Sequence, residues 1–233
     1  MRRVDARELL IDSFRAALSA ADPLAIVPKH LPRPPRGRTV VVGAGKAAAS
    51  MAHAVETHWP AGAPLEGIVI TRYGHGLPTK RIRVVEAGHP VPDEQGEQSA
   101  REILAAAQSL GPDDLLLALV SGGGSSLLAL PCDGIAMADL KAVTRDLLAS
   151  GAPIQDMNTV RKHLSKIQGG RLAAATRAKV VALVISDVTG DDPTHIASGP
   201  CVADPTTYQD AIDILARYGV KAPASIASHL RKG

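Results

Sequence analysis

Short apolar runs alternate with longer amphipathic stretches along the chain, and this alternation restricts the fold more than any other feature. The predicted strands cover residues 39–43, 67–72, 81–88, 115–120 and 179–186. Runs that lack polar alternation are typical of parallel strands that are covered on both faces. Strands separated by helical segments form βαβ units. We therefore predict an α/β fold, a Rossmann-like α/β/α sandwich with a mostly parallel sheet.

Helical spacing of apolar residues predicts six helices. They cover residues 5–21, 45–59, about 93–110, 138–150, a segment that Asn158 caps and Gly169 and Gly170 end, and a segment from Thr206 or Thr207 to about Tyr218. In the helix that Asn158 is predicted to cap, Val160, Leu164 and Ile167 form the apolar stripe. The proline-rich residues 28–37 are a connector. The ending SIASHLRKG shows no closing element and suggests truncation.

Composition excludes several classes of protein. Aromatic residues make up 2% of the 233 residues, which argues against base-stacking nucleic-acid modules. The net charge of +3 is spread along the chain, and no apolar run approaches the roughly 18 residues of a membrane span. Cys132 and Cys201 form no metal or disulfide pattern, and acidic residues interrupt any signal segment near the start. We predict a cytoplasmic protein with neither a nucleic-acid nor a membrane partner.

The loop after the first strand reads Gly43-Ala44-Gly45-Lys46-Ala47-Ala48 and fits the dinucleotide pattern G-x-G-x-x-A. Glycines let the backbone approach a phosphate, and an ammonium at Lys46 would stabilise one directly. Arg72 stands where a ribose-binding acid would be expected after the second strand. A surface lysine after a tight turn is the alternative interpretation.

The loop after the fourth strand is the second candidate. It contains Ser121, Gly122, Gly123, Gly124, Ser125 and Ser126. Successive N–H groups in such a loop can surround an anion, although the lysine of a Walker loop is absent. Because the loop joins a buried strand to a helix start, we favour an anion site over a flexible turn.

Charged residues follow elsewhere in the chain. Asp187 and Asp191 come after the last strand and suit Mg²⁺ bound together with phosphate, or simply a turn and a helix cap. Arg161 lies on a basic helix face that is either solvated or a clamp for a carboxylate or phosphate. His89, after the third strand, is predicted to be structural.

Six segments together resemble one family, the glycerate 2-kinases, which are often labelled hydroxypyruvate reductase. The segments are VVGAGKAAASMA (41–52), EAGHPVPDE (86–94), LVSGGGSSLLALP (119–131), DMNTVRKHLSKIQGGRLA (156–173), ISDVTGDDPTHIASGP (185–200) and ADPTTYQDAIDIL (203–215). The resemblance implies ATP-dependent phosphorylation of D-glycerate at its 2-hydroxyl, giving 2-phosphoglycerate, with Mg²⁺ accompanying ATP. It places active-site residues at Lys46 and Asp187.

The same resemblance predicts the domain organisation. Residues 1–233 correspond to the family's N-terminal α/β domain, while a C-terminal MOFRL-type domain, which carries an active-site arginine in the family, is expected but absent from this chain. The active site would lie in a cleft between the two domains. We therefore expect the chain alone to be inactive as a kinase, and a homodimer is possible.

A mechanism can be assembled from these residues. Lys46 would offset charge on the phosphoryl group or glycerate, and the loop from Ser121 to Ser126, with Gly43 and Gly45, would bind an anionic group. Arg161 would add a bidentate clamp, and Asp187 or Asp191 would hold Mg²⁺ or orient the hydroxyl. Which loop binds ATP stays open. The alternatives are an NAD(P)-dependent hydroxypyruvate reductase and a non-catalytic small-anion-binding module.

Overall fold

A computed structural model describes residues 5–233 and shows one five-stranded sheet. Its strands are β1 (Thr39–Ala44), β2 (Leu65–Arg72), β3 (Ile82–Ala87), β4 (Leu115–Ser121) and β5 (Lys179–Ile185). They lie in the order β3-β2-β1-β4-β5, and every neighbouring pair is parallel. The predicted Rossmann-like α/β sandwich is confirmed. The first four residues of the predicted domain, 1–233, lie outside the described part.

Ten helices accompany the sheet in the described residues. They are α1 (Ala6–Ala20), α2 (Pro23–Ile26), α3 (Ala48–His58), α4 (Glu94–Gln108), α5 (Gly124–Leu127), α6 (Met137–Ala149), α7 (Ile154–His163), α8 (Arg171–Ala174), α9 (Tyr208–Arg217) and α10 (Ala224–Leu230). Short 3₁₀ turns occur at Val27–His30 and Ile196–Ser198. The side chains of Asp5, Asp93 and Thr207 cap α1, α4 and α9 by accepting backbone N–H groups.

The two faces of the sheet carry separate apolar layers because successive side chains of a strand point in opposite directions. Val40 and Val42 of β1 pack with residues of α4, whereas Val41 packs with residues of α3. β1 and β4 are buried along their whole length. β5 is an edge strand in which every residue is at least partly exposed, and Val184 is 40% exposed.

A third apolar cluster lies in the helices that follow β4. Residues of α6, α7, α9 and α10 pack together there, with Val143, Val160, Ile214 and Ile226 at its centre. The prediction that the ending lacks a closing element is wrong, because α10 buries Ile226 and Leu230 against this cluster. Four-residue spacing places these two side chains on one helix face.

The boundaries of α7 also differ from the prediction. The helix begins after Pro153, so Asn158 lies inside it and is not its cap. It ends at His163 because the following residues pair with another segment: Lys166 donates its N–H to the Leu130 carbonyl at 2.8 Å, and Ser165 forms an isolated bridge with Pro131. Tertiary hydrogen bonds therefore replace the last predicted helical turn.

Helix α1 is confirmed as amphipathic, but none of its residues is buried in the described chain. Leu10 and Phe14, on its apolar side, are 71% and 64% exposed. From residue 5 onward, no helix combines the length and the apolar character needed to cross a membrane.

Candidate functional site

A cavity of about 900 Å³ opens where the sheet meets the helices that follow β4. Loops after four strands contribute to it: Lys46 after β1, His89 after β3, Ser125 after β4 and Asp187 after β5. Arg161 of α7 closes another side. Parallel strands end at the same sheet edge, and ligands of open α/β sheets bind at that edge. The structure thus brings together residues that the sequence places more than 100 positions apart.

Lys46 and Asp187, the two residues singled out by the family resemblance, form an ion pair in this cavity. Lys46 Nζ lies 3.2 Å from Asp187 Oδ2, and the two side chains are 45% and 53% exposed. An ion pair this accessible contributes little to folding. Both groups consequently remain available to a ligand that enters the cavity.

The glycine-rich loop after β4 is tightly packed, which argues against a flexible turn. A Cβ atom on Gly122 would lie 1.9 Å from Asp187 Oδ2, and one on Gly124 would lie 2.5 Å from the Cβ of Ala197. Gly123 has a φ of 86°, and a Cβ atom there would lie 2.8 Å from His89 Nε2 and 3.3 Å from Lys46 Cγ. Within residues 5–233, no oxygen accepts a hydrogen bond from the N–H groups of Gly123, Gly124 and Ser125. Gly123 and Ser125 line the cavity, so their N–H groups can bind an anion there.

The backbone N–H groups of the loop after β1 already have hydrogen-bond partners. The N–H of Gly45 donates to the Ile70 carbonyl, that of Lys46 to the Gly122 carbonyl at 2.8 Å, and that of Ala47 to Ser121 Oγ at 3.0 Å. Gly43 and Gly45 are buried outside the cavity, where Cβ atoms would meet Leu119 and Ser121 at 2.0 and 2.1 Å. These glycines thus allow the two loops to pack closely, and a phosphate contact of Gly43, Gly45 and Ser121 stays a prediction.

Arg161 is a cation without a counterion. It is mostly buried, and no carboxylate of the described residues lies within 4.0 Å of it. Its hydrogen-bond partner is Asn158 Oδ1, at 3.3 Å from Nη1. Burial lowers the pKa of the guanidinium below its ordinary value. A desolvated cation that lines a cavity strongly favours an anionic ligand.

Three cavity residues were not anticipated as part of a site. Gln168 donates from Nε2 to the Ser125 carbonyl at 2.9 Å, and Asn158 donates from Nδ2 to the His195 carbonyl at 3.2 Å. Burial, and then the charges of Lys46 and Arg72, lower the pKa of His89, so this ring favours its neutral form. Its position directly after a parallel strand is the signal that could have identified His89 as a site residue.

The two predicted metal ligands lie in different surroundings. Asp187 lines the cavity, whereas Asp191 is exposed outside it, with a left-handed φ of 53°. In the described part of the chain, no three His, Cys, Asp or Glu side chains form a group that could hold a metal ion. Mg²⁺ takes about six oxygen ligands. At nucleotide sites Mg²⁺ is usually held by one or two carboxylates together with water and phosphate oxygens. Its binding by Asp187 and Asp191 stays a prediction.

Two glycine substitutions should distinguish a loop position packed against rigid neighbours from one that faces the movable side chain of Asp187. Gly124→Ala should lower the free energy of unfolding by about 1–3 kcal/mol, because its Cβ would meet the Ala197 Cβ and the Ala44 carbonyl at 2.5 and 2.9 Å. Gly122→Ala meets the movable end of Asp187 and should cost clearly less stability while displacing that carboxylate from Lys46. Urea denaturation of both variants measures the difference. Equal losses would contradict the assigned contacts.

Comparison with known proteins agrees with this geometry. A protein of Agrobacterium vitis that carries the provisional name hydroxypyruvate reductase is 58% identical over 231 residues, which are 99% of this chain and 52% of that protein. A glycerate 2-kinase of Pyrococcus horikoshii is 41% identical over 95% of this chain and 51% of its own length. The crystal structure of a glycerate kinase from Thermotoga maritima superimposes with a TM-score of 0.86 at 40% identity, covering 96% of this chain and 54% of that one.

The chain thus spans about half the length of the curated relatives it matches. The resemblance to proteins named glycerate 2-kinase and hydroxypyruvate reductase, predicted from six sequence segments, is confirmed. A family model described as a domain of unknown function, DUF4147, matches residues 9–231. With nearly every residue of the sheet and the cavity inside that match, the chain belongs to the DUF4147 family.

Proposed function

We propose that this protein takes part in phosphorylating D-glycerate at its 2-hydroxyl, with ATP as the phosphoryl donor and 2-phosphoglycerate as the product. The observation that carries the proposal is the uncompensated Arg161 guanidinium, which shares one cavity with Lys46 and with unpaired backbone N–H groups. Glycerate and ATP are both anions. The names of the Pyrococcus and Thermotoga relatives support this substrate.

Phosphoryl transfer requires positioning and neutralisation of charge more than covalent chemistry by the protein. Arg161 would hold an anionic group of glycerate or ATP through two parallel N–H donors, and the N–H groups of Gly123 and Ser125 would bind another. Lys46 would neutralise charge that develops on the transferring phosphoryl group. Asp187, 3.2 Å from Lys46, would orient the 2-hydroxyl and accept its proton. The hydroxyl oxygen would bond to the γ-phosphorus of ATP as the bond from that phosphorus to the β–γ bridging oxygen breaks, and ADP would leave with that oxygen. Mg²⁺ would arrive with the phosphates of ATP. In the alternative assignment, Asp187 or Asp191 would hold that ion and would not accept the proton.

The outer part of the cavity suits the nucleoside of ATP. Leu140, Leu148 and Ile154 give this part an apolar wall, and Leu148 and Ile154 are 66% and 50% exposed. A cavity of about 900 Å³ also has room for a ligand of that size. We further propose that a second, MOFRL-type domain completes the cleft over this wall. The 233-residue chain alone would then transfer phosphate poorly.

Two parts of the proposal concern the setting of the reaction. We place it in the cytoplasm, in keeping with the two unpaired cysteines. A homodimer stays a prediction.

A hydroxypyruvate reductase is the second candidate, since the Agrobacterium relative carries that provisional name. The geometry gives it less support. A dinucleotide pyrophosphate binds to free N–H groups after the first strand, and here Gly45, Lys46 and Ala47 donate theirs to Ile70, Gly122 and Ser121.

The reaction product distinguishes the candidates. The complete gene product and the 233-residue chain should be incubated with D-glycerate and ATP, and separately with hydroxypyruvate and NADH or NADPH. From the complete gene product we expect ADP and 2-phosphoglycerate in the first mixture and no nicotinamide oxidation in the second. The 233-residue chain should form little product in either mixture. Nicotinamide oxidation that requires hydroxypyruvate would overturn the kinase proposal. Saturable anion binding without turnover in either mixture would instead indicate a binding module.

A further inference from the structure

We propose that Asn158, supported by Ser198, is a positioning residue that presents the Arg161 guanidinium to an anionic ligand without neutralising its charge. The identity of that ligand as glycerate or ATP rests on the proposed function, whereas the positioning itself does not. The inference depends on a chain of hydrogen bonds that joins the glycine-rich loop to helix α7.

The orientation of the Asn158 amide is determined by its three partners. Nδ2 donates to the His195 carbonyl at 3.2 Å, while Oδ1 accepts from Arg161 Nη1 at 3.3 Å and from Ser198 Oγ at 3.2 Å. A flipped amide would place its NH₂ group against the guanidinium, which can only donate, and its oxygen against the His195 carbonyl, which can only accept. Asn158 is also only 3% exposed, so water has little access to replace these partners. Its oxygen therefore always faces the guanidinium.

The neutrality of the amide matters as much as its position. A carboxylate at residue 158 would hold Arg161 more tightly, but it would also neutralise the charge and occupy the donors that bind an anion. It would in addition oppose the His195 carbonyl, since an ionised carboxylate only accepts hydrogen bonds. Asparagine satisfies both requirements, because it holds the guanidinium through one hydrogen bond and leaves its charge uncompensated.

Ser198 fixes the Asn158 oxygen from the other side through a strained turn. Ala197 and Ser198 have φ values of 51° and 59°, a left-handed conformation that L-residues with a side chain rarely adopt. The N–H groups of Gly169 and Gly170 hold this turn by donating to the Ser198 and Gly199 carbonyls at 2.9 and 2.7 Å. Strain of this kind accumulates at functional sites, where the surrounding structure maintains it.

The hydroxyl of Ser198 connects the two anion-binding elements. It lies 2.9 Å from Ser125 Oγ, in the glycine-rich loop, and 3.2 Å from Asn158 Oδ1. Ser198 itself is completely buried. The loop with free N–H groups and the helix with the free guanidinium are thus held in register by side chains beneath the cavity.

Two substitutions at residue 158 test the proposal by titration calorimetry with D-glycerate and, separately, inorganic phosphate. Asn158→Ala frees the guanidinium and should raise the dissociation constant about tenfold, the cost of a hydrogen bond to a charged group. Asn158→Asp pairs with Arg161 and should raise it by about a hundredfold. Gln108→Glu, at the exposed end of α4, adds the same charge outside the cavity and should leave binding unchanged.

A double-mutant cycle distinguishes positioning from direct contact with the ligand. If Asn158 acts through Arg161, Asn158→Ala should have almost no further effect in an Arg161→Gln background. Additive losses would show that Asn158 binds the ligand itself and would overturn the proposal. Ser198→Ala is the second variant. It removes only the hydroxyl and should weaken binding severalfold while lowering the melting temperature slightly, because one buried hydrogen-bonding group is lost. It therefore tests the proposal even if substitution of the buried Asn158 prevents folding.

Activity separates the failure of this inference from that of the proposed function. In the complete gene product, Asn158→Ala should raise KM for one anionic substrate more than it lowers kcat. If the wild-type protein binds anions but transfers no phosphate, and the substitutions weaken that binding, the kinase proposal is refuted and the positioning role is supported. Substitutions that leave anion binding and KM unchanged, or wild-type protein that binds neither anion, would overturn the positioning role.

Discussion

Replacing Asp204 with asparagine should lower the free energy of unfolding by about 3–5 kcal/mol, because it leaves a buried ammonium without a counterion. Lys162 is fully buried, and its Nζ lies 2.8 Å from Asp204 Oδ1. Thr206 donates both its N–H and its hydroxyl to the same oxygen, at 3.0 and 2.6 Å. The pair ties α7 to the segment before α9. Urea denaturation monitored by circular dichroism measures the loss.

The exposed ion pair of Lys166 and Asp133 provides a matched control. Its Nζ–Oδ1 distance is 2.7 Å, but its side chains are 33% and 89% exposed, against 1% and 10% in the buried pair. Asp133→Asn should therefore cost less than about 1 kcal/mol. A double variant, Lys162→Met with Asp204→Asn, should recover much of the loss, since no charge remains buried. Equal losses for Asp204→Asn and Asp133→Asn would refute the role of burial.

The same pair predicts a dependence on pH. Burial raises the pKa of Asp204, but the hydrogen bonds from Lys162 and Thr206 outweigh it and hold the pKa below its ordinary value. The stabilisation is therefore complete above the ordinary aspartate pKa and is lost as the pH falls through the lowered pKa of the folded state. The difference in stability between wild type and Asp204→Asn should be constant near neutral pH and should narrow only in acid.

Lys46→Ala should lower kcat for phosphoryl transfer by about 10²–10³-fold, the usual effect of removing one group that stabilises transition-state charge. The fold should not change, because the ion pair with Asp187 is about half exposed and contributes little to stability. Steady-state kinetics of the complete gene product, with melting temperatures measured in parallel, test this result. Lys166→Ala serves as the control, because Lys166 lies just after α7 and does not line the cavity. Its kcat should stay near that of the wild type. Turnover near the wild-type rate in Lys46→Ala would eliminate the proposed role.

The strands could be predicted from the sequence to within two residues at either end, because continuous apolar runs leave little choice in a doubly covered sheet. All five predicted strands are present. Helix starts were equally clear where a side chain caps the backbone, as Asp93 and Thr207 do. The short helix α10 was missed because its buried face consists of only two apolar side chains, Ile226 and Leu230.

Features that depend on distant partners could not be predicted. Asn158 resembles a helix cap in the sequence, and only the folded chain shows that its amide contacts His195 and Ser198. Lys162 lies on what the sequence presents as a solvated basic face, yet it is fully buried because Asp204, 42 residues later, supplies its counterion. The pattern of apolar and polar residues shows the periodicity of one helix. It does not indicate which later segment of the chain packs against that helix.

Some site residues could likewise be predicted from local sequence, whereas the roles of others depend on distant partners. Lys46, Asp187, Arg161 and the glycine-rich loop were identified from strand ends and from family motifs, and the structure places them around one cavity. Gly43 and Gly45 were assigned to phosphate because the pattern G-x-G-x-x-A does not reveal which N–H groups are already bonded. Glycine permits close approach of any partner, and here that partner is the neighbouring loop.

The central position of β1 and β4 has a consequence for how the cleft can move. Both strands are hydrogen-bonded on each side and buried on each face. Amide protons in such strands exchange with solvent only when the whole domain opens. The loops that carry Lys46 and Gly123 are thus attached to the strands that unfold last. We therefore expect that any movement in response to a bound ligand occurs in α6 and α7, which line the other side of the cavity.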